Sequence, residues 1–140
     1  MIVVGVMSGT SADGIDVAIC KIDGKPGTMQ VNILAGETYP YTLVMRQRIL
    51  DCCDLSTGRA DKIARLNMDL AEIFAQAVID LCAEKNIPLS HIHLIGSHGQ
   101  TIWHEVDATG QVNATFQIGE GAVIAERTGV TTINNLRARD

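Results

Sequence analysis

The sequence predicts an α/β domain built on a mixed sheet with flanking helices. Two short apolar segments frame a polar, glycine-containing loop near the N-terminus, which indicates a β-hairpin. A long segment with apolar residues at three- and four-residue spacing indicates an amphipathic helix. Apolar segments then alternate with a second helical pattern, and strands followed by alternating helix and strand are typical of an α/β domain.

The first half supplies three strands and two helices. Residues 1–7 and 15–23 read as strands, and Gln30 to Glu37 as a third, so that short connections predict an antiparallel meander. A short helix is predicted from Leu43 to Cys53. The clearest helix runs from about Ala60 to Lys85, and Pro88 follows its end.

The second half is predicted to alternate. Residues 91–96 lead into a strand that ends in a polar turn, Ser97 to Thr101, before a further strand at 102–104. Val112 to Ile118 reads as a strand, and Ala122 to Thr128 as a helix capped by Gly129. Residues 130–133 form the last predicted strand.

Composition excludes several classes of function. The 140 residues are about one domain's worth of chain, with 46% hydrophobic and 19% charged residues, which is typical of a globular protein. A net charge of −5 without a dense Lys/Arg run disfavours nucleic-acid binding. No apolar run approaches the roughly 18 residues of a membrane span, and no secretory signal pattern is present. The four cysteines form no C-x-x-C pair, and we expect reduced thiols in a cytoplasmic protein.

The opening loop, Gly5 to Asp16, allows two interpretations. Its glycines let the backbone turn tightly, and its hydroxyls and amides suit an anion, so it could be a phosphate cradle. An ordinary β-hairpin uses the same residue types. Spacing alone leaves both interpretations open.

Three polar clusters follow predicted strands: Ser8 to Asp16, Ser97 to Thr101, and Arg137 to Asp140. Ligands of open α/β sheets bind in the crevice beyond strand ends, so these clusters are expected to converge on one ligand.

Two other chemistries are weaker candidates. Four histidines fall between residues 91 and 104, but no cysteine lies near them and no His-Glu-x-x-His pattern occurs, which disfavours a zinc site. A triad through Ser97 and His98 is disfavoured because neighbours on a strand point to opposite faces, and no G-x-S-x-G elbow is present.

Five motifs occur in order along the chain: Met7–Asp16, Gly96–His104, Phe116–Gly119, Ala125–Gly129 and Leu136–Asp140. Together they resemble the anhydro-N-acetylmuramic acid kinase family. The resemblance implies an RNase H-like lobe of the actin/hexokinase/sugar-kinase superfamily, in which two lobes close on ATP. Residues 1–140 would be the N-terminal lobe of such a two-lobed sugar kinase, without the second lobe and therefore inactive alone.

The implied reaction uses ATP and Mg²⁺ on a small amino sugar. Water opens the 1,6-anhydro bridge of anhydro-N-acetylmuramic acid while O6 is phosphorylated, giving N-acetylmuramic acid 6-phosphate in cell-wall recycling. The resemblance also implies a homodimer of the full-length protein. The alternative is a non-catalytic lobe that binds a nucleotide or a partner.

The resemblance assigns roles residue by residue. Asp140 would be the base that activates water, and Arg137 would orient the sugar or neutralise charge. The sugar side would be lined by Ser97, His98, Gln100 and Thr101. The ATP phosphates would meet Gly9, Thr10, Ser11, Ala12, Asp13, Gly14, Ile15 and Asp16.

The metal ligand stays open, with Asp13 and Asp16 as the local candidates. One departure concerns the superfamily pattern, because Val6 stands where many members carry an aspartate.

Overall fold

A computed structural model describes residues 1–138 of the chain. Over these residues the strands are β1 (Ile2–Ser8), β2 (Gly14–Asp23), β3 (Gln30–Pro40), β4 (Leu94–Val106), β5 (Val112–Ile118) and β6 (Thr132–Ile133). The helices are α1 (Leu43–Cys53), α2 (Ala60–Glu84) and α3 (Gly121–Thr128), with a single 3₁₀ turn at Leu89–His91.

The strands form one mixed sheet in the order β3-β2-β1-β4-β5, and β6 also pairs with β4. β1, β2 and β3 are antiparallel neighbours, which confirms the predicted meander. β4 lies parallel to β1, and β6 lies parallel to β4. The mixed α/β sheet with flanking helices confirms the predicted fold class.

One face of the sheet packs on α2. Val4 and Val6 of β1 are buried, whereas Gly5 and Met7 between them are exposed, so the strand alternates as a half-buried strand should. The apolar stripe of α2 covers the buried face and includes Phe74, which is fully buried. Burying one such side chain contributes about 2 kcal/mol to folding.

The helix ends follow from local chemistry. The Thr42 hydroxyl accepts from Met45 N and begins α1. The Glu120 carboxylate accepts from Ala122 N at the start of α3. Gly129 ends α3 in the left-handed conformation with φ 70°, as the sequence predicts.

The prediction of a turn at Ser97–Thr101 is wrong. β4 runs without a break from Leu94 to Val106, pairing with β1 at its start and with β5 from Gln100 onward. Gly99 stays within the strand at φ 78°, a conformation that glycine adopts easily. Polar composition suggested a solvated turn, but Ser97, Gln100 and Thr101 are buried between neighbouring strands.

Candidate functional site

The loop between β1 and β2, residues 9–13, lies where β1 ends. Thr10, Ser11 and Asp13 are exposed, whereas Ala12 is buried. Ala12 adopts φ 49°, and its N–H donates to Gly9 O over 3.2 Å. The left-handed conformation is uncommon for residues other than glycine, so Ala12 gives the loop an unusual backbone shape.

Polar contacts inside the loop organise its carboxylate. The Ser11 hydroxyl donates to Asp13 Oδ1 over 2.8 Å, and this bond is the largest of the contacts that lower the pKa of Asp13. Tyr41 N donates to Asp13 O over 3.0 Å, which ties the loop to the end of β3. The loop therefore presents an ionised carboxylate beside two hydroxyl-bearing side chains.

The other residues that are predicted to bind ATP lie on both faces of β2. Gly14 and Ile15 are buried, and Ile15 belongs to the core. Asp16 is exposed on the opposite face of β2, where its Oδ1 accepts from the Thr38 hydroxyl over 2.6 Å. Asp13 and Asp16, the two candidate metal ligands, are therefore both accessible to a cation.

A buried polar cluster lies directly beneath the loop. Gln100 Nε2 donates to Gly9 O over 2.8 Å, and Gln100 Oε1 accepts from the Ser8 hydroxyl over 2.7 Å. The Tyr41 hydroxyl donates to Ser8 Oγ over 2.9 Å. Burial raises the pKa of Tyr41 to about 12, so this hydroxyl stays protonated at neutral pH.

β4 directs Ser97 and His98 to opposite faces. Ser97 is fully buried on the core side, and its hydroxyl has no hydrogen-bond partner among the described residues. His98 is half-buried on the open face, with Nδ1 lying 3.1 Å from Gly99 O. Thr101 is buried, and its carbonyl accepts from Gln100 Nε2 and from the Cys53 thiol.

The open face of the sheet carries a groove of about 660 Å³. Asp16 and His98 both line it, so the structure brings a predicted ATP residue and a predicted sugar residue to the same groove. Gly5 and Gly96, which are paired across β1 and β4, form its floor. Because a Cβ at either glycine would meet nothing within 4 Å, the floor leaves room above the backbone.

The family model described as anhydro-N-acetylmuramic acid kinase matches residues 1–140. The chain belongs to this family.

Curated relatives carry the same name. The protein called anhydro-N-acetylmuramic acid kinase from Caldanaerobacter subterraneus subsp. tengcongensis is 45% identical over 99% of this chain and 36% of its own length. Its counterpart from Microcystis aeruginosa is 44% identical over all of this chain and 36% of its own length. The one from Bacillus cereus strain G9842 is 43% identical, again over the whole chain and 37% of that relative. The chain thus spans about a third of the length of these relatives.

The last cluster predicted for this kinase family is only partly described. Arg137 is half-buried and follows Leu136, which lines the open-face groove. Asp140, the predicted base, lies outside the described residues. Its role stays a prediction.

Sequence reasoning missed a second concavity of about 630 Å³, between the start of α2 and the end of β5. Asn67 Oδ1 accepts from Gly119 N over 2.7 Å and its Nδ2 donates to Glu120, which fixes one wall. Phe116 and Asn134 also line it. The only signal in the sequence was the position of Asn134, close before Arg137 and directly after the last strand.

Asp13 and Asp16 are exposed and are the candidate ligands for Mg²⁺ that the sequence predicts. Over residues 1–138, no group of three or more His, Cys, Asp or Glu side chains could hold a metal ion by itself. His93 Nδ1 instead accepts from Ile2 N over 3.0 Å, and His104 Nδ1 contacts the Thr115 hydroxyl. Mg²⁺ in phosphoryl-transfer sites needs only one or two protein carboxylates, a role that Asp13 and Asp16 can fill.

Two further features bear on the predictions from composition. The four cysteines, Cys20, Cys52, Cys53 and Cys82, are free thiols. Among residues 1–138, no helix combines the length and apolar character that crossing a membrane requires.

Proposed function

We propose that this chain is the ATP-binding N-terminal lobe of a kinase that acts on anhydro-N-acetylmuramic acid. The reaction adds water at the anomeric carbon, breaks the 1,6-anhydro bond, and transfers the γ-phosphoryl group of ATP to O6. The products are N-acetylmuramic acid 6-phosphate and ADP. The observation that carries the proposal is the exposed loop of residues 9–13, anchored on buried polar side chains, in a chain of this kinase family.

The loop binds the phosphates in this proposal. Gly9 allows close approach, since a Cβ there would meet only the Met7 methyl at 3.9 Å. The Thr10 hydroxyl donates to a phosphate oxygen, as hydroxyls at phosphate sites do. The Ser11 hydroxyl, whose single hydrogen goes to Asp13 Oδ1 in the structure, turns to the phosphate when ATP binds. Asp13 and Asp16 are the carboxylates that would hold Mg²⁺, and the ion would supply charge neutralisation for the transferred phosphoryl group. Ala12, Gly14 and Ile15 contribute backbone shape, because their side chains are absent or buried.

The sugar lies on the side of β4 and the segment after β6. Asp140 takes the proton of the attacking water, and the Arg137 guanidinium orients the lactyl carboxylate through its planar fork. His98 contacts the sugar from the open-face groove. Ser97 and Thr101 support this strand from within the core, since both are buried.

The test follows ADP release by the full-length protein that carries this segment, with ATP and the anhydro sugar. Turnover that depends on both compounds and on Mg²⁺ supports the proposal. Turnover with another sugar but none with the anhydro sugar contradicts the proposed substrate.

The alternative function for the same segment is a non-catalytic lobe that binds a nucleotide or a partner. Calorimetric titration of residues 1–140 with ATP and with the sugar distinguishes the two. Saturable ATP binding by the segment, together with no turnover by the full-length protein on any sugar, would identify a binding lobe instead of a kinase.

A further inference from the structure

We propose that Gln100 is a positioning residue that sets the shape of the phosphate loop, rather than a residue that contacts the sugar. This inference rests on the proposed function, because it concerns how the same loop meets ATP. It changes the expected role of Gln100, which the family resemblance placed on the substrate side.

The Gln100 side chain has its hydrogen-bonding capacity directed at the protein. Its two N–H groups donate to Gly9 O over 2.8 Å and to Thr101 O over 3.0 Å. Its Oε1 accepts from the Ser8 hydroxyl over 2.7 Å. The opposite amide orientation would place an oxygen against two carbonyl oxygens, so the surrounding backbone dictates one orientation. With no exposed surface, the side chain is unable to reach a ligand in this conformation.

The same cluster holds both ends of the loop. Gly9 is bound directly by Gln100, and Gly14 O lies 2.8 Å from the hydroxyl of Ser8. Ser8 has one hydroxyl hydrogen, which Gly14 O and Gln100 Oε1 share, and Tyr41 donates to its oxygen. Ser8 and Gln100 are paired across β1 and β4, so the cluster is fixed by the parallel register of the sheet.

Removing Gln100 therefore takes away hydrogen bonds at the base of the loop. The Gly9 carbonyl would keep only its 3.2 Å bond from Ala12 N, and the buried Ser8 hydroxyl would lose its partner Oε1, so the loop would relax to replace these bonds. A loop that must be reordered by its ligand binds that ligand more weakly than a preorganised loop. We expect the effect on ATP and not on the sugar.

The test compares Gln100→Met, which keeps the length of the side chain, with two controls. Gln76→Met makes the same change on an exposed face of α2. Val78→Ala removes fully buried apolar volume from the same helix and serves as a variant of lowered stability without loop contacts. Each full-length variant is titrated with ATP and with the anhydro sugar by calorimetry. Amide hydrogen exchange of residues 9–13 is measured without nucleotide.

For Gln100→Met we expect ATP affinity to fall about tenfold or more and loop exchange to accelerate, with sugar affinity unchanged within about twofold. Both controls should keep the ATP affinity of the parent. If Gln100→Met does not fold, Ser8→Ala removes the partner of Oε1 and should give the same pattern with a smaller effect.

Two results would overturn the inference. One is a loss of sugar affinity with ATP affinity intact, which would return Gln100 to the substrate side. The other is an equal loss of ATP affinity in Val78→Ala, which would reduce the role of Gln100 to general stability. A parent protein that binds no ATP contradicts the proposed function instead, and unchanged loop exchange in Gln100→Met would then reject the positioning role separately.

Discussion

Gly119 lies against the ring of Phe74, so closely that a Cβ on Gly119 would stand 2.5 Å from Phe74 Cε2. The backbone at Gly119 has φ 123°, a conformation that side-chain-bearing residues rarely adopt. Phe74 is fully buried in α2. The end of β5 therefore approaches the long helix at a residue that has no side chain.

Gly119→Ala is expected to lower the free energy of unfolding by about 3 kcal/mol, because it combines backbone strain with overpacking. Gly110→Ala is the matched control, since φ there is 87° but a Cβ would meet nothing within 4 Å. It should cost only about 1 kcal/mol. Urea denaturation of both variants gives the comparison, and equal losses would show that Phe74 yields to the methyl group.

Ser97→Ala should leave the free energy of unfolding unchanged or raise it by up to about 1 kcal/mol. The Ser97 hydroxyl is buried without a partner among residues 1–138, so its removal relieves a desolvation cost. Ser8→Ala is the contrasting control, because its hydroxyl bonds three groups, and about 2 kcal/mol should be lost. A loss above about 1 kcal/mol in Ser97→Ala would reveal a bound water or another partner.

Alkaline pH should destabilise the protein through Tyr41. Burial raises the pKa of Tyr41 to about 12 in the folded state, against about 10 in the unfolded chain. A raised pKa contributes stability that is complete below about pH 10 and is lost as the pH rises through about 12.

The contribution of Tyr41 is on the order of 2 kcal/mol. Tyr41→Phe should reduce the fall in unfolding free energy between these pH values, as followed by denaturation at several pH values. The pKa of Tyr39 also rises to about 12, through partial burial and the neighbouring Glu84. Because Tyr39 reaches solvent, Tyr39→Phe should alter the pH dependence less, and a reversed order would contradict this account.

Asp140→Asn in the full-length protein should lower kcat at least about a hundredfold, since an amide is unable to accept the proton of water. Asp107→Asn is the control, as Asp107 lies in the exposed turn between β4 and β5. Steady-state ADP release measures both variants. Activity of Asp140→Asn within about tenfold of the parent would remove Asp140 from the role of base.

Most of the fold could be predicted from local sequence patterns. Alternation in β1 and the apolar stripe of α2 needed no long-range information, and Gly129 marked the end of α3. The polar composition of Ser97–Thr101 predicted a turn, whereas in the structure these residues continue a buried strand. Their burial depends on Ser8 and Gly9, which are 91 or 92 residues away from Gln100 and which no local window connects to it.

The site was predicted less completely for the same reason. Glycines and hydroxyls left the loop open between a phosphate cradle and an ordinary hairpin, and only its occurrence with four further motifs favoured the phosphate loop. The alternation of a strand already predicted that Ser97 and His98 point to opposite faces. The hydrogen bonds of Asn67 to Gly119 and Glu120 join segments more than 50 residues apart. Such pairs follow from tertiary packing, so residue type alone did not single out Asn67.

β3 ends the sheet order, and within residues 1–138 it pairs only with β2 along its eleven residues. Val31 and Ile33 on this edge are 58% and 73% exposed. A long edge strand with unpaired backbone groups and apolar side chains is a template for strand addition by another chain. Aggregation would therefore begin at β3 when residues 1–140 are produced alone, and a lysine at position 33 would be the simplest way to keep that material in solution for titration.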